Sequence, residues 1–306
     1  MNIYDYIAGA FQEAPFLIQI SLVVVVAMII TIIILIVGLR TTRTLLKIKD
    51  KEIANYRKQY EALIVEYLYS GDESSEISKS QRSIIIKLKS GVRIPSRQKS
   101  IITILSGLMD EVSGEMSNDI RSLYRKTGLA GHARHRLKSK KWHIVTKAIW
   151  ELRQFGVYEA QEEVSKFITH QKREVRKEAQ LYAVDLFKFK GLSFLNDLEL
   201  PLSECKQLQL LEALMVEGNP EICDIKPWLR SPNVSVVLFT IKLAKIYNQF
   251  EVKEELISLL AHSEKEVRTA AISVLNDLFG YETEELLQLS KDAFSYEEVH
   301  VRTAEL

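Results

Sequence analysis

The stretch EAQEEVSKFITHQKREVRKEAQLYAVDLF, residues 159–187, occurs twice in the chain. Its second copy is EVKEELISLLAHSEKEVRTAAISVLNDLF, residues 251–279, and the two align from end to end without a gap. In each copy, apolar residues three and four apart mark a helix, a short polar turn follows, and a second helix restarts at Glu174-Val175-Arg176 or Glu266-Val267-Arg268. Each copy closes on Asp-Leu-Phe, at Asp185-Leu186-Phe187 and Asp277-Leu278-Phe279. The copies start at Glu159 and Glu251, three periods of about 31 apart. Weaker units fill the interval at 191–217 and 218–250, the latter with SPNVSVVLFTIKLAKIY. An earlier unit at 129–156 ends in KKWHIVTKAIWELRQFG, and a further one starts near Glu282 and reaches His300-Val301-Arg302. One helix pair cannot bury its apolar face alone, so the repeat predicts pairs stacked into a solenoid with a continuous core. The acid and Arg of each turn are expected to link neighbouring repeats: Glu174 with Arg176, Glu266 with Arg268, Glu298 with Arg302.

The Glu-Val-Arg turn, the small residues after it (Ala179, Ala270, Ala271) and the Leu-Phe close resemble HEAT repeats, in particular the short bacterial units called HEAT-like or PBS-lyase-type. The resemblance covers roughly 129–306 and implies an α-solenoid of about five to six repeats, a bacterial source, and a surface for an extended or helical partner. It also brings enzymes into view. Hydroxylases of this architecture hold iron with paired His-Glu dipeptides, and none of His132, His135, His143, His170, His262 or His300 is followed by Glu. His132-x-x-His135 is the one close His pair, and no carboxylate follows it at metal-ligand spacing. DNA glycosylases of HEAT-like fold share only the architecture, and no residue set carries over the activity of bilin lyases. The chain lacks a phosphate-binding Gly motif, G-x-S-x-G and H-E-x-x-H.

Outward from the repeats, the next decisive stretch is FLIQISLVVVVAMIITIIILIVGL, residues 16–39, which holds no charge. At about 1.5 Å per helical residue it reaches roughly 36 Å, enough to cross a hydrocarbon core of about 30 Å. The preceding MNIYDYIAGAFQEAP holds Asp5 and Glu13 and no Lys or Arg, the run is too long for a signal-peptide core, and no Ala-x-Ala follows. Arg40, Arg43, Lys47, Lys49 and Lys51 follow it closely. By the positive-inside rule, residues 1–15 lie outside as a short tail, where Tyr4, Tyr6 and Phe11 are candidate interfacial anchors, and residues 40–306 lie in the cytoplasm.

A juxtamembrane amphipathic helix is expected over 40–70. Leu46, Ile53, Tyr60 and Tyr67 recur at heptad spacing, with Tyr56 and Leu63 between them. The seam suits either packing on the chain's own domain or a homodimer through residues 46–67. Ser70-Gly71-Asp72-Glu73-Ser74-Ser75 ends it. A small helical region, 71–128, follows. From Ser80 to Ser100 it carries Arg82, Lys87, Lys89, Arg93, Arg97 and Lys99 without an acid, around the apolar Ile84-Ile85-Ile86 and Leu88. This suits a solvated basic face or contact with anionic headgroups. Helices are predicted at about 95–112 and 115–127.

With 41 basic and 40 acidic residues, no global field points to nucleic acid. Low Gly (12) and Pro (6) fit a helical chain with short loops. Cys205 and Cys223 form no CxxC; a disulfide is one reading, and two small buried thiols of a reducing compartment the preferred one. Arg134, Arg136, Lys138, Lys140 and Lys141 with Trp142 form a second basic patch, read either as the first repeat's turn with Trp142 over the open end of the core, or as a contact for an acidic partner or lipid. The last residues, Thr303-Ala304-Glu305-Leu306, predict a short final helix that is frayed or covered. Together these readings predict an all-α, single-pass inner-membrane scaffold without cofactor or catalytic residues. Its expected partner is a protein such as a membrane-bound synthetic or secretion complex. An enzyme built on the solenoid, or a lipid or nucleic-acid binder using 82–99 and 134–141, is the alternative.

Overall fold

The computed structural model describes residues 15–70, 78–215 and 222–281, with Glu285 and Gln288. The tail with Tyr4, Tyr6 and Phe11, most of the 70–75 turn, and the final unit with Glu298, His300, Arg302 and Leu306 lie outside these residues. No strand occurs among the described residues, and the chain divides into two compact units, one up to Asp119 and one from Ile120.

The first unit is built on α1 (Phe16–Tyr69), a single helix of 54 residues, about 81 Å at 1.5 Å per residue. The sequence suggested an anchor and a separate juxtamembrane helix; instead the helix runs through Gly38 without a break. The hydroxyls of Thr41 and Thr42 both donate to the Gly38 carbonyl, at 2.9 and 3.0 Å, and Thr31 donates to Ala27 O at 2.8 Å. These polar groups are therefore satisfied within the helix, the condition hydrocarbon imposes. From Val23 to Val37 the large apolar residues of α1 are about half exposed, none of them covered by the described chain. By length and composition this helix is able to cross a membrane. Arg40, Arg43, Lys47 and Lys51 follow, all exposed.

The lower half of α1 is different. Tyr60, Ile64 and Tyr67 are buried against α2 (Lys79–Val92) and α3 (Pro95–Glu111). A capping box starts α2: Gln81 N donates to Ser78 Oγ (3.1 Å) and Ser78 N donates to Gln81 Oε1 (3.2 Å). Ile84, Ile85 and Leu88 point inward, and Gly91 sits over the Tyr60 ring with no room for a Cβ. The Arg97 guanidinium lies 4.3 Å from the Tyr56 ring centroid and donates to its hydroxyl at 2.9 Å. The seam between Tyr56 and Tyr67 is thus spent within the chain. This is the packing on the chain's own domain that the sequence allowed; Leu46 is exposed.

The second unit opens in α4 (Glu115–Lys126), whose Tyr124 ring stacks on Phe155 at 4.0 Å. Five helix pairs follow among the described residues. They are α5 (Leu129–Arg136) with α6 (Trp142–Gln154), α7 (Gln161–Ser165) with α8 (Arg173–Phe187), a 3₁₀ segment (Lys188–Asp197) with α9 (Glu204–Met215), α10 (Lys226–Leu229) with α11 (Val234–Ile246), and α12 (Lys253–Ser258) with α13 (Lys265–Phe279). One continuous apolar core runs from Leu181 to Leu275.

Four of the turns repeat one contact. Ser139, His170, Ser231 and His262 each accept the backbone N–H two positions on, at 3.0–3.2 Å, and that position is the N-cap of the second helix of the pair. Ser139 and His170 stand one repeat apart, as do Ser231 and His262, a step of about 31 in each case. The helix ends keep the same step: Gly156, Lys188, Asn248 and Gly280 all have positive φ just after a second helix. Val157 N donates to Leu152 O, and Gln249 N to Ala244 O, both at 2.9 Å, the six-to-one bond of a Schellman end. The architecture is a helical repeat with the period read from the sequence, and local backbone satisfaction closes the helix ends named above.

Candidate functional site

The Glu-Val-Arg residues serve the turn. Val175 and Val267 are fully buried under the helix start. Arg176 Nη1 donates to His170 O at 2.7 Å, and Arg268 Nη1 to His262 O and Ser263 O at 2.6 and 2.7 Å. Each Arg thus holds the carbonyls of its own turn, while Glu174 and Glu266 stand exposed in the first helical turn, where a negative charge favours the helix dipole. The expected Glu174–Arg176 and Glu266–Arg268 links between repeats are therefore corrected: side chains two apart on a helix do not face each other. His170 and His262 complete the motif. Both stand twelfth in the two aligned copies, a match visible in the sequence.

The links between repeats come from other acids. Arg153 Nη1 meets Asp185 Oδ2 at 2.6 Å, joining α6 to α8, and Lys245 Nζ meets Asp277 Oδ2 at 2.5 Å, joining α11 to α13. These are the same pair three repeats apart, and the acid is that of Asp-Leu-Phe. A second set joins first helices: Arg134 with Glu163, and Lys226 (3.8 Å) with Glu255, to which Arg230 adds at 3.1 Å. The hydrogen bond from Arg134 holds the Glu163 carboxyl below the usual carboxylate range, and that from Lys245 does the same for Asp277. A lowered folded-state pKa contributes stability above the unfolded values, about 4.3 for Glu and 3.9 for Asp, that is lost as pH falls through the folded ones. In urea titrations the wild-type midpoint should exceed that of an Arg134→Ala/Lys245→Ala variant at pH 7, and the two midpoints should converge below about pH 3.

The basic patch at 134–142 is partly committed. Arg134 is bound to Glu163, and Arg136 makes a bidentate pair with the fully buried Glu151. Lys138, Lys140, Lys141 and Trp142 are exposed, Trp142 with its ring edge-on to His143. The patch at 82–99 belongs to the other unit. There Arg82, Lys87, Lys89, Arg93 and Lys99 are exposed around an outward Ile86, and Arg97 is tied to Tyr56. His132 and His135 are exposed on α5, and among the described residues no group of three His, Cys, Asp or Glu stands close enough to hold a metal ion.

Sequence reasoning missed a third basic cluster. Arg173, Arg176 and Lys177 on α8 and Lys206 on α9 line a cavity of about 350 Å³, with Leu200 and Pro201 across from them. Lys206 donates to Oε1 of the buried Gln180, whose amide donates to Ile168 O at 3.1 Å. Burial, with the neighbouring charges of Arg176, Arg173 and Lys177, pushes the Lys206 ammonium down to about 8. The signal in the sequence was the charge in KREVRK, which helical spacing places on one face with Arg173, Arg176 and Lys177.

No protein-family model matches the chain, and no curated protein matches it. Among solved structures, a designed armadillo repeat protein, YIII(Dq.V1)4CPAF in complex with peptide (KR)4, is similar at 15% identity over 70% of this chain and 98% of that one, with a TM-score of 0.23. At that score the likeness carries no weight, and the helical-repeat architecture rests on the turn geometry above.

Proposed function

We propose that the protein is a single-pass, membrane-anchored helical-repeat scaffold, HEAT-like and bacterial, that binds a protein partner at the cytoplasmic face of the inner membrane. The observation that carries this reading is α1 itself. Its apolar half is not covered by the described chain, and the same unbroken helix continues into a packed helical unit. The exposed Arg40, Arg43, Lys47 and Lys51 favour an outside N-terminus under the positive-inside rule. A stack of similar helix pairs presents a long surface with few loops, which suits an extended partner better than a small substrate.

Two measurements test it. In right-side-out spheroplasts a membrane-impermeant maleimide should leave the exposed Cys205 unlabelled until the cells are lysed. Labelling in intact spheroplasts would reverse the orientation. Full-length protein purified in mild detergent should bring down a partner that a chain ending at Gly114, which keeps α1 to α3, does not. A partner bound equally by both would move the function to the first unit.

A further inference from the structure

The basic residues that join helices in the second unit are matched by acids: Arg134 by Glu163, Arg136 by Glu151, Arg153 by Asp185, Arg230 by Glu255, Lys245 by Asp277. The cavity between α8 and α9 breaks this rule. Four cations line it, and no Asp or Glu does. Arg173 and Lys177 make no ion pair among the described residues; Glu174 beside Arg173 and Glu204 near Lys206 are exposed, Glu178 beside Lys177 faces Arg153 at 3.5 Å, and none of the three lines the cavity. Arg176 and Lys206 are positioned by Gln180 and by the His170 and Gln171 carbonyls, so the cations are held near one another. Like charges gathered in a partly closed site repel, and an arriving anion relieves that repulsion.

We infer that this pocket is the anchor site for an acidic peptide segment of the partner, taking its carboxylates between Arg173, Lys177 and Lys206 and an adjoining apolar side chain against Leu200 and Pro201. The inference rests on the scaffold reading. The apolar wall is what selects a peptide: Leu200 is half exposed, and neither inorganic phosphate nor a bare headgroup has anything to set against it. The guanidinium of Arg173, on the first turn of α8, is free to grip a carboxylate in the bidentate manner.

The test uses the full-length protein in detergent and a fluorescein-labelled peptide of alternating Glu and Leu, followed by fluorescence anisotropy. Binding should be saturable and should weaken as salt is raised. It should fall roughly tenfold or more in Arg173→Ala/Lys177→Ala, because truncating one side of a hydrogen-bonded charge pair acts at this scale. Arg173 is exposed, Lys177 is half-buried and neither is in an ion pair, so the variant should melt with the wild type; Lys206→Met should weaken the peptide as well. The inference is overturned if the peptide does not bind, if the double variant binds it unchanged, or if a Lys–Leu peptide binds equally. It is also overturned if inorganic phosphate or phosphatidylglycerol vesicles bind through these residues and the peptide does not. A partner that co-purifies equally with the double variant would sink the pocket and leave the scaffold standing. Peptide binding with no partner for the wild type would do the opposite.

Discussion

Gly191→Ala should be among the most damaging single substitutions in the second unit. Gly191 lies in the 3₁₀ segment Lys188–Asp197, packed directly on the backbone of α8. A Cβ there would overlap the carbonyl carbon and oxygen of Ala183 and come within 2.9 Å of the Val184 nitrogen. These are backbone atoms of a helix, so no rotamer change makes room, and the whole segment must move outward. Phe189, Leu192 and Leu195 are buried from the same segment and would be drawn out of the core with it. Overpacking that forces backbone shifts costs typically 1–3 kcal/mol, and this site belongs at the upper end, about 3 kcal/mol. For a unit of this size that is a fall of roughly 6–12 °C in melting temperature. Gly128→Ala, in the same unit, is the control, since its added Cβ would meet nothing within 4 Å and only its positive φ resists. Equal losses in the two variants would show that close approach is not what Gly191 provides.

That position also explains where reading the sequence succeeded and where it stopped. The two strong copies were legible because every register mark lies inside one repeat: the buried Val175 and Val267, the helix restarts, the Asp-Leu-Phe close. The turn His170 and His262 were visible there too, but their role needs the backbone N–H they accept. The unit at 191–217 matched weakly because a 3₁₀ segment replaces its first helix, and glycine at 191 gives close packing that leaves no periodic trace. Links between repeats were misassigned for a related reason. Arg153 and Asp185, or Lys245 and Asp277, sit a full repeat apart, and local spacing favours near neighbours such as Glu174 and Arg176. The α8–α9 pocket was hidden because Lys206 reaches it from the next repeat. The long apolar run was plain, and so was the seam below it. The packing of that seam on the chain's own helices is seen in Tyr60 under Gly91 and in Arg97 on Tyr56.

Arg136→Ala should destabilise the protein by about 3–5 kcal/mol, the usual cost of stranding one member of a buried ion pair. Arg136 reads in the sequence as part of an exposed basic patch. In the fold its Nη1 donates to Glu151 Oε1 at 3.0 Å, its Nη2 donates to Oε2, and the Glu151 side chain has no exposed surface. Around that carboxylate lie the stacked rings of Tyr124 and Phe155, and burial, followed by the charge of Glu151, pushes the Tyr124 phenol well above its ordinary value. Such a site offers no solvent to a carboxylate that has lost its guanidinium. The expected loss in melting temperature is roughly 6–20 °C. A double change, Arg136→Met with Glu151→Leu, should recover most of the stability, since an apolar pair of similar volume often replaces a buried ion pair without loss. Thermal melts of the two single variants and the double variant complete the cycle. Wild-type stability in Arg136→Ala, together with weakened partner binding, would return this residue to the interaction surface where its sequence context had placed it.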